Sequence, residues 1–317
     1  MYDALLDAWA LPRPRELTRA HWGYSNETWF VRSEAGEHVL RLHTSKHVEA
    51  IRFEHELLAR LATADLRFRT PRPLETEAGD TLATEIESAR QAALFRRIEG
   101  EHLDDDDVAG VANAGSAYAA LDIALAAIER TDLTTATFSG DLRTVHPAIS
   151  DLGQLEEAAG PAARGLAEAA AETAPAIYGS LPTQLIHGDF AFGNVLMRAG
   201  SVRGLLDFEY AGRNVRALEL GGALRNVLSK GNREKLWRPL LHGYLGTLPL
   251  DPAEIAALPA LVRLQGAIVI VWVAGRAIEG DSTLEALAQQ VDRALALEDW
   301  IAANGIHLIA EALSVTR

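Results

Sequence analysis

The chain has 317 residues, 48% of them hydrophobic, a formal net charge of -14 and no cysteine. Such a length and apolar content suit a sizeable core spread over about two domains or lobes. The acidic balance argues against nucleic acid or an anionic membrane as partner, since both call for basic surface, and the lack of cysteine excludes a disulfide framework and thiol chemistry.

Residues 2–11 read as a helix with Leu5, Leu6 and Trp9 on one face, stopped by Pro12 and Pro14. Asp3 and Asp7 interrupt that run, so it is not read as a signal peptide, and a cytoplasmic location is the default expectation. From Leu17 the period changes to two. Residues 28–32 and 38–43 flank the turn Glu34-Ala35-Gly36 and predict a hairpin, preceded by the short polar loop Gly23-Tyr24-Ser25-Asn26. Alternation puts Val39 and Arg41 on one face of the second strand and Leu40 and Leu42 on the other. Residues 49–62 carry Phe53, Leu57, Leu58 and Leu61 at helical spacing.

Pro71-Arg72-Pro73 breaks the chain before β-prone segments at 74–76 and 81–86, turned by Gly79, and a further run at 92–98. The acids Asp104 to Asp107 then open an apolar stretch that reaches Ile128. They read as the cap and first turn of a helix, in preference to a carboxylate-lined mouth for a cationic substrate. Residues 151–178 form an alanine-rich helical stretch with breaks at Gly160, Pro161 and Pro175.

The densest polar chemistry lies in 185–209. Apolar runs at 195–197 and 202–206 flank Arg198-Ala199-Gly200-Ser201 and predict a hairpin. A hairpin sets its ends side by side, so His187, Asp189 and Asn194 entering it converge with Asp207 leaving it. Carboxylates and an amide oxygen so placed meet the needs of metal-assisted phosphoryl transfer. A zinc site is not supported, for there is no cysteine and no H-E-x-x-H, and neither a P-loop nor a Rossmann fingerprint occurs.

His187-Gly188-Asp189 with Asn194 resembles the H-G-D-x-x-x-x-N loop, and Asp207-Phe208-Glu209 the metal motif, of the protein-kinase-like small-molecule phosphotransferases: the aminoglycoside phosphotransferase, choline kinase and homoserine kinase group. The resemblance runs from about Leu17 to Leu228. It implies an α+β, bilobal fold, with a small antiparallel-sheet nucleotide lobe at 1–98 and a larger, mainly helical catalytic and substrate lobe at 99–317. It makes Asp189 the catalytic base, Asn194 and Asp207 the Mg²⁺ ligands, and ATP the phosphoryl donor. Gly23, Ser25 and Asn26 fall at its nucleotide-phosphate loop, and Val39 beside the adenine. Arg41 takes the place of the usual phosphate-gripping lysine, with Lys46 the alternative and Glu54 the acidic partner. Phe95, Arg96, Arg97 and Ile98 fall at the adenine-binding hinge, and Glu219 replaces an aspartate that anchors the catalytic loop. His187 is expected to orient that loop.

No long activation segment follows Glu209, and Ala191 stands where many protein kinases carry lysine, so a small-molecule hydroxyl acceptor is expected. An antibiotic-like or choline-like cation suits the charge. Homoserine is the alternative, with Arg213 and Arg216 either binding its carboxylate or pairing with surface acids. A nucleotide-binding regulatory protein without transfer activity is the reading from another class. The last third predicts helices at 237–245, 252–277 and 284–301, with Leu284, Leu287, Val291 and Leu295 buried and with Trp272 and Trp300 in the core. The apolar run 266–274 is too short to span a bilayer. A monomer or homodimer is expected.

Overall fold

The period-two stretch folds as three antiparallel strands, β1 (Glu16–Arg19), β2 (Glu27–Ser33) and β3 (Gly36–Leu42), with Thr28 opposite Arg41 and Phe30 opposite Val39. This computed structural model describes residues 2–20, 26–44, 47–128 and 138–316. After helix α1 (Val48–Leu61), strands β4 (Ala83–Thr84) and β5 (Gln91–Arg96) complete a five-stranded sheet in the order β1-β2-β3-β5-β4. Leu40 and Leu42 of β3 are buried with Leu6, Trp9, Val31 and Leu94, beneath the N-terminal segment. Val39 packs into the main core on the other face, where Arg41 meets α1. The alternation in β3 therefore sorts its residues as the sequence requires.

The N-terminal segment is a single 3-10 turn (Leu5–Trp9) rather than a helix over 2–11, although Leu6 and Trp9 are buried as expected. Its indole nitrogen donates to the Leu74 carbonyl at 3.0 Å, so a side-chain bond ties it to the sheet. The β-prone segments 74–76 and 81–86 shrink to β4 alone, and Ile86 is 95% exposed. Local bonds displace the ladder there: Thr76 closes a turn with Asp80, and the Glu85 carboxylate accepts from the Glu87 and Ser88 amides at 3.0 and 2.6 Å.

The larger lobe begins with β6 (Glu101–His102) and α2 (Val108–Ala127). Asp107 caps α2 by accepting from the Gly110 amide at 2.8 Å, while Asp105 and Asp106 pair with Arg233 and Lys235. The acid run is a helix start, as read from sequence. Helix α3 (Leu152–Ser180) bends at Gly160, whose φ of 83° no helix interior adopts, and continues through Pro175. Strand β7 (Thr183–Ile186) leads to the hairpin β8 (Val195–Arg198) and β9 (Ser201–Leu205), then to β10 (Gly212–Val215), which pairs back onto β7.

The helices α4 (Leu218–Leu228), α5 (Trp237–Leu245), α6 (Pro252–Glu279) and α7 (Leu284–Val315) finish the lobe. By length and composition α2 and α6 could cross a membrane. Both are core helices in this fold: α6 packs on α3, α4 and α7, and α2 lies so close to α5 that a Cβ on Gly243 would sit 2.0 Å from the Ala112 carbonyl oxygen. The buried face of α7 is Leu287, Val291, Ala294, Leu297 and Ile301. Leu284 and Leu295 are 71% and 42% exposed, a correction to the face read from sequence. The stripe that begins at Leu287 passes them by, and the choice of leucines alone misplaced it. Trp272 and Trp300 are half-buried and pack against the main core: one stacks on Arg276, and the other donates to Glu234 at 2.8 Å.

Candidate active site

Gly188 begins the site because its backbone needs a conformation that side chains resist. Its φ is 81°, and a Cβ there would lie 2.8 Å from the Tyr210 carbonyl oxygen. In this turned state its amide donates to Glu219 Oε2 at 2.8 Å, so α4 anchors the loop as the sequence led us to expect of Glu219. His187 is buried and its Nε2 lies 2.9 Å from the Leu206 carbonyl oxygen, with the rings of Tyr118 and Phe208 edge-on at 5.3 and 4.6 Å. His187 thus joins the strand before the loop to the end of the hairpin, an orienting role.

The loop places Asp189 beside Asn194, whose Nδ2 donates to Asp189 Oδ2 at 2.8 Å and to its carbonyl at 3.1 Å. Loss of solvent, with the Asp207 carboxylate next in weight, raises the Asp189 pKa to about 6, against the opposing pull of Asn194 and Arg225. A carboxylate in that range is suited to accept a proton near neutrality. Asp207 follows directly from the hairpin and holds a left-handed φ of 65°, uncommon outside glycine and asparagine-like residues.

Across the cleft, Arg41 bridges Glu54 Oε1 at 3.0 Å and Asp207 Oδ1 at 3.7 Å. Burial opposes its charge, yet the carboxylates of Glu54, Asp207 and Glu209 prevail and hold the guanidinium protonated. Burial pushes Glu54 upward, and Arg41 opposes that. Asn26 reaches over from the small lobe: its Nδ2 donates to Glu209 Oε2 at 2.8 Å, and its Oδ1 accepts from the Thr44 amide at 3.2 Å. Asn26, Val39, Arg41 and Glu54 are thereby gathered on the small-lobe side, opposite Asp189, Asn194 and Asp207. Gly23, Ser25 and Lys46 lie outside the described residues.

The segment 95–98 is less uniform than its place in the chain suggests. Phe95 is buried under Arg41, 5.4 Å from its ring centroid, and edge-on to His55. Arg97 pairs with Glu37, stacks on Phe30 at 4.6 Å, and gives its amide to the Glu37 carbonyl, so this residue is committed to the sheet. Arg96 is exposed opposite His38, and Ile98 covers Gly204 of β9.

The donors suit a hard divalent cation. With its nitrogen committed to Asp189, Asn194 keeps Oδ1 as the acceptor that can face a metal, and Asp207 adds a carboxylate engaged, among the described residues, by the longer contact to Arg41. No group of three or more histidine, cysteine or acidic ligands occurs among the described residues. Of the arginines read as carboxylate candidates, Arg216 is taken by buried Glu254, with Nε 3.0 Å from Oε1. Sequence reading missed Arg225 of α4, whose charge acts on Asp189, and Tyr118 and Asp122, buried on α2 behind the loop. Nothing in a helical arginine or tyrosine marks which loop it will face.

The phosphotransferase enzyme family model matches residues 16–258. The homoserine kinase of Rhodospirillum rubrum is 27% identical over 263 residues, 81% of this chain and 79% of that one. Among solved structures, a microcompartment-associated aminopropanol kinase superposes with a TM-score of 0.75 at 20% identity, covering 96% of this chain and 98% of its own. An amicoumacin kinase in complex with AMP-PNP and Ca²⁺ gives 0.68 at 14% identity, covering 89% and 88%. The fold is therefore the bilobal protein-kinase-like one, with a sheet-based small lobe and a helical large lobe, and the chain belongs to the phosphotransferase enzyme family.

Proposed function

We propose that this protein transfers the γ-phosphoryl group of ATP to a hydroxyl of a small molecule, with the lobe boundary between Ile98 and Glu99. The observation that carries the reading is the convergence of Asp189, Asn194 and Asp207 at one end of the hairpin, facing the Arg41–Glu54 pair. The acceptor hydroxyl approaches Asp189, which takes its proton as the oxygen bonds to phosphorus and the bond from phosphorus to the leaving ADP oxygen breaks. Arg41, aimed by Glu54, holds the nonreacting phosphates, and Gly23, Ser25 and Asn26 are the further residues assigned to the nucleotide phosphates. Val39 and the segment Phe95, Arg96, Arg97 and Ile98 border the adenine. Asn194 Oδ1 and the Asp207 carboxylate would hold Mg²⁺, which when bound neutralises phosphate charge. Support for nucleotide and divalent metal comes from the amicoumacin kinase, solved with both.

The acceptor reading that best suits the net charge is a cationic amino sugar or amino alcohol, as in an aminoglycoside phosphotransferase. An amino-acid alcohol is the second reading, favoured by the Rhodospirillum rubrum relative, a homoserine kinase. Thermal unfolding with ATP or GTP, each with and without Mg²⁺, followed by ATP consumption over aminoglycosides, choline, homoserine and sugars, tests this. Ligand at about a hundred times its dissociation constant adds roughly 2.7 kcal/mol. A Mg²⁺-dependent rise in midpoint with turnover on one acceptor is expected, and no rise with any nucleotide would refute the site.

A further inference from the structure

The catalytic loop is held at its start by α4, where Glu219 accepts from the Gly188 amide at 2.8 Å. Its far end is the 3-10 turn Phe192–Asn194, which carries the side chain that meets Asp189, Nδ2 to Oδ2 at 2.8 Å. So short a turn gains little from its own backbone, in which the Asn194 amide donates to the Ala191 carbonyl at 2.9 Å. A side chain from outside the loop meets it. The Arg233 guanidinium lies 4.1 Å from the Phe192 ring centroid, and both residues are buried. Phe192 also meets Phe190 edge-on at 6.0 Å, and Phe190 meets Tyr118 of α2 at 4.5 Å.

Arg233 belongs to the turn that follows α4, Gly231–Leu236. Its Nη1 donates to Asn226 Oδ1 at 3.0 Å, its Nη2 is paired with Asp105, and its buried Nε has no hydrogen-bond partner among the described residues. Two held edges fix the plane of the guanidinium, and a face of it lies over Phe192. Burying a cation with one N–H unpaired is costly, and an apolar side chain could cover Phe192 without that cost. An apolar side chain could not, however, be aimed from two elements at once. Asn226 lies two helical turns after Glu219, so α4 holds the loop at both ends, directly at Gly188 and through Arg233 at Phe192. Asp105 adds a tie to the segment that runs from β6 into α2.

We infer that Arg233 is a positioning residue for the transfer step: aimed by Asn226 and Asp105, it holds Phe192 and with it the turn that sets Asn194 on Asp189. This inference rests on the phosphotransfer reading of the Asp189 site. Arg233 acts through the loop and not on the nucleotide, whose phosphates are assigned to Arg41 in the other lobe. The neighbouring pair Lys235–Asp106 joins the same turn to the same segment at the surface, and so serves as an internal comparison.

The test is amide exchange followed by NMR in wild type, Arg233→Met, Arg233→Lys, Phe192→Leu and Lys235→Met. In Arg233→Met the amides of Asn194 and of Leu206, which donates to the Asn194 carbonyl, should exchange about tenfold faster while those of α6 stay near wild type. Arg233→Lys keeps the charge and loses the fork, so it should give part of that rise; Lys235→Met should give none. Phe192→Leu should match Arg233→Met, and adding Arg233→Lys to it should bring no further rise, because the contact is already gone. ATP consumption is measured alongside with L-homoserine or kanamycin, whichever wild type turns over. There Arg233→Met should lower kcat about tenfold with the KM for ATP within about twofold. Unchanged loop exchange in Arg233→Met, an equal rise in α6, the same rise in Lys235→Met, or a raised KM for ATP with kcat kept would each overturn the inference. If Arg233→Met does not fold, the Arg233→Lys and Phe192→Leu pair decides it, and additive rises overturn it. If neither acceptor is used, the exchange comparison decides alone. Failure of the phosphotransfer reading shows separately, as absence of Mg²⁺-dependent ATP binding by wild type.

Discussion

Asn26 and Glu209, 183 residues apart, join the two lobes directly over the site: the Asn26 amide donates to Glu209 Oε2 at 2.8 Å. The bond connects Asn26, immediately before β2, to the segment that follows Asp207, and so couples the side proposed for the donor phosphates to the side proposed for the metal. A hydrogen bond to a charged group contributes about 1.5–3 kcal/mol. Asn26→Ala should therefore raise the KM for ATP by about tenfold, with a much smaller change in the acceptor KM, as steady-state kinetics would show.

Arg41 reaches both Glu54 and Asp207, which a planar fork can do and a single ammonium does less well. Arg41→Lys should raise the KM for ATP by about tenfold while the protein stays folded. Arg41→Met should in addition destabilise by about 3–5 kcal/mol, because it strands the Glu54 carboxylate, whose side chain is 4% exposed. Chemical denaturation of the two variants would separate these effects, and equal stability would argue that Glu54 is neutral in the native protein.

The hairpin and its motifs were legible because local pattern and chemistry coincide there. Val195 to Leu205 alternates and turns as a hairpin must, and its flanking polar residues have no other reason to cluster. Arg41 and Glu54 were legible through alternation on β3 and register on α1. The Asn26–Glu209 bond and the Arg233–Phe192 contact were not, since both depend on how distant segments meet, and none of these side chains breaks a local rule. The exposed Leu284 and Leu295 show the converse: leucine at helical spacing marks a face only when a neighbouring element arrives to cover it.

His43 and His55, buried near Arg41, give the protein an acid-sensitive small lobe. Burial, then the charge of Arg41, lowers their pKa values from 6.5 to about 3 and about 4. The unfolded chain binds these protons below pH 6.5 and the folded one does not, so stability is full above that pH and declines as it falls toward the folded values. At about 1.4 kcal/mol per pH unit for each histidine, the pair should lose on the order of 4 kcal/mol between pH 6.5 and pH 5. Denaturation midpoints across that window would show the decline, and His43→Met should roughly halve it.

Gly188 tests the anchoring of the catalytic loop. Gly188→Ala must place a Cβ against the Tyr210 carbonyl at a left-handed φ, which should cost about 2–3 kcal/mol and loosen the bond to Glu219. The expected result is a lower melting midpoint together with a fall in kcat. A variant with wild-type kcat would show that the loop finds its geometry without Glu219.

The most direct test of the account is Asp189→Asn, assayed for transfer of the γ-phosphoryl group to acceptor and, in the same preparation, for binding of Mg-ATP. The Asn194 contact offers a near-isosteric replacement a place to sit, while the proton acceptor is removed. The account predicts a loss of about 1,000-fold in kcat with Mg-ATP affinity within about threefold of wild type. Transfer at the wild-type rate would contradict it.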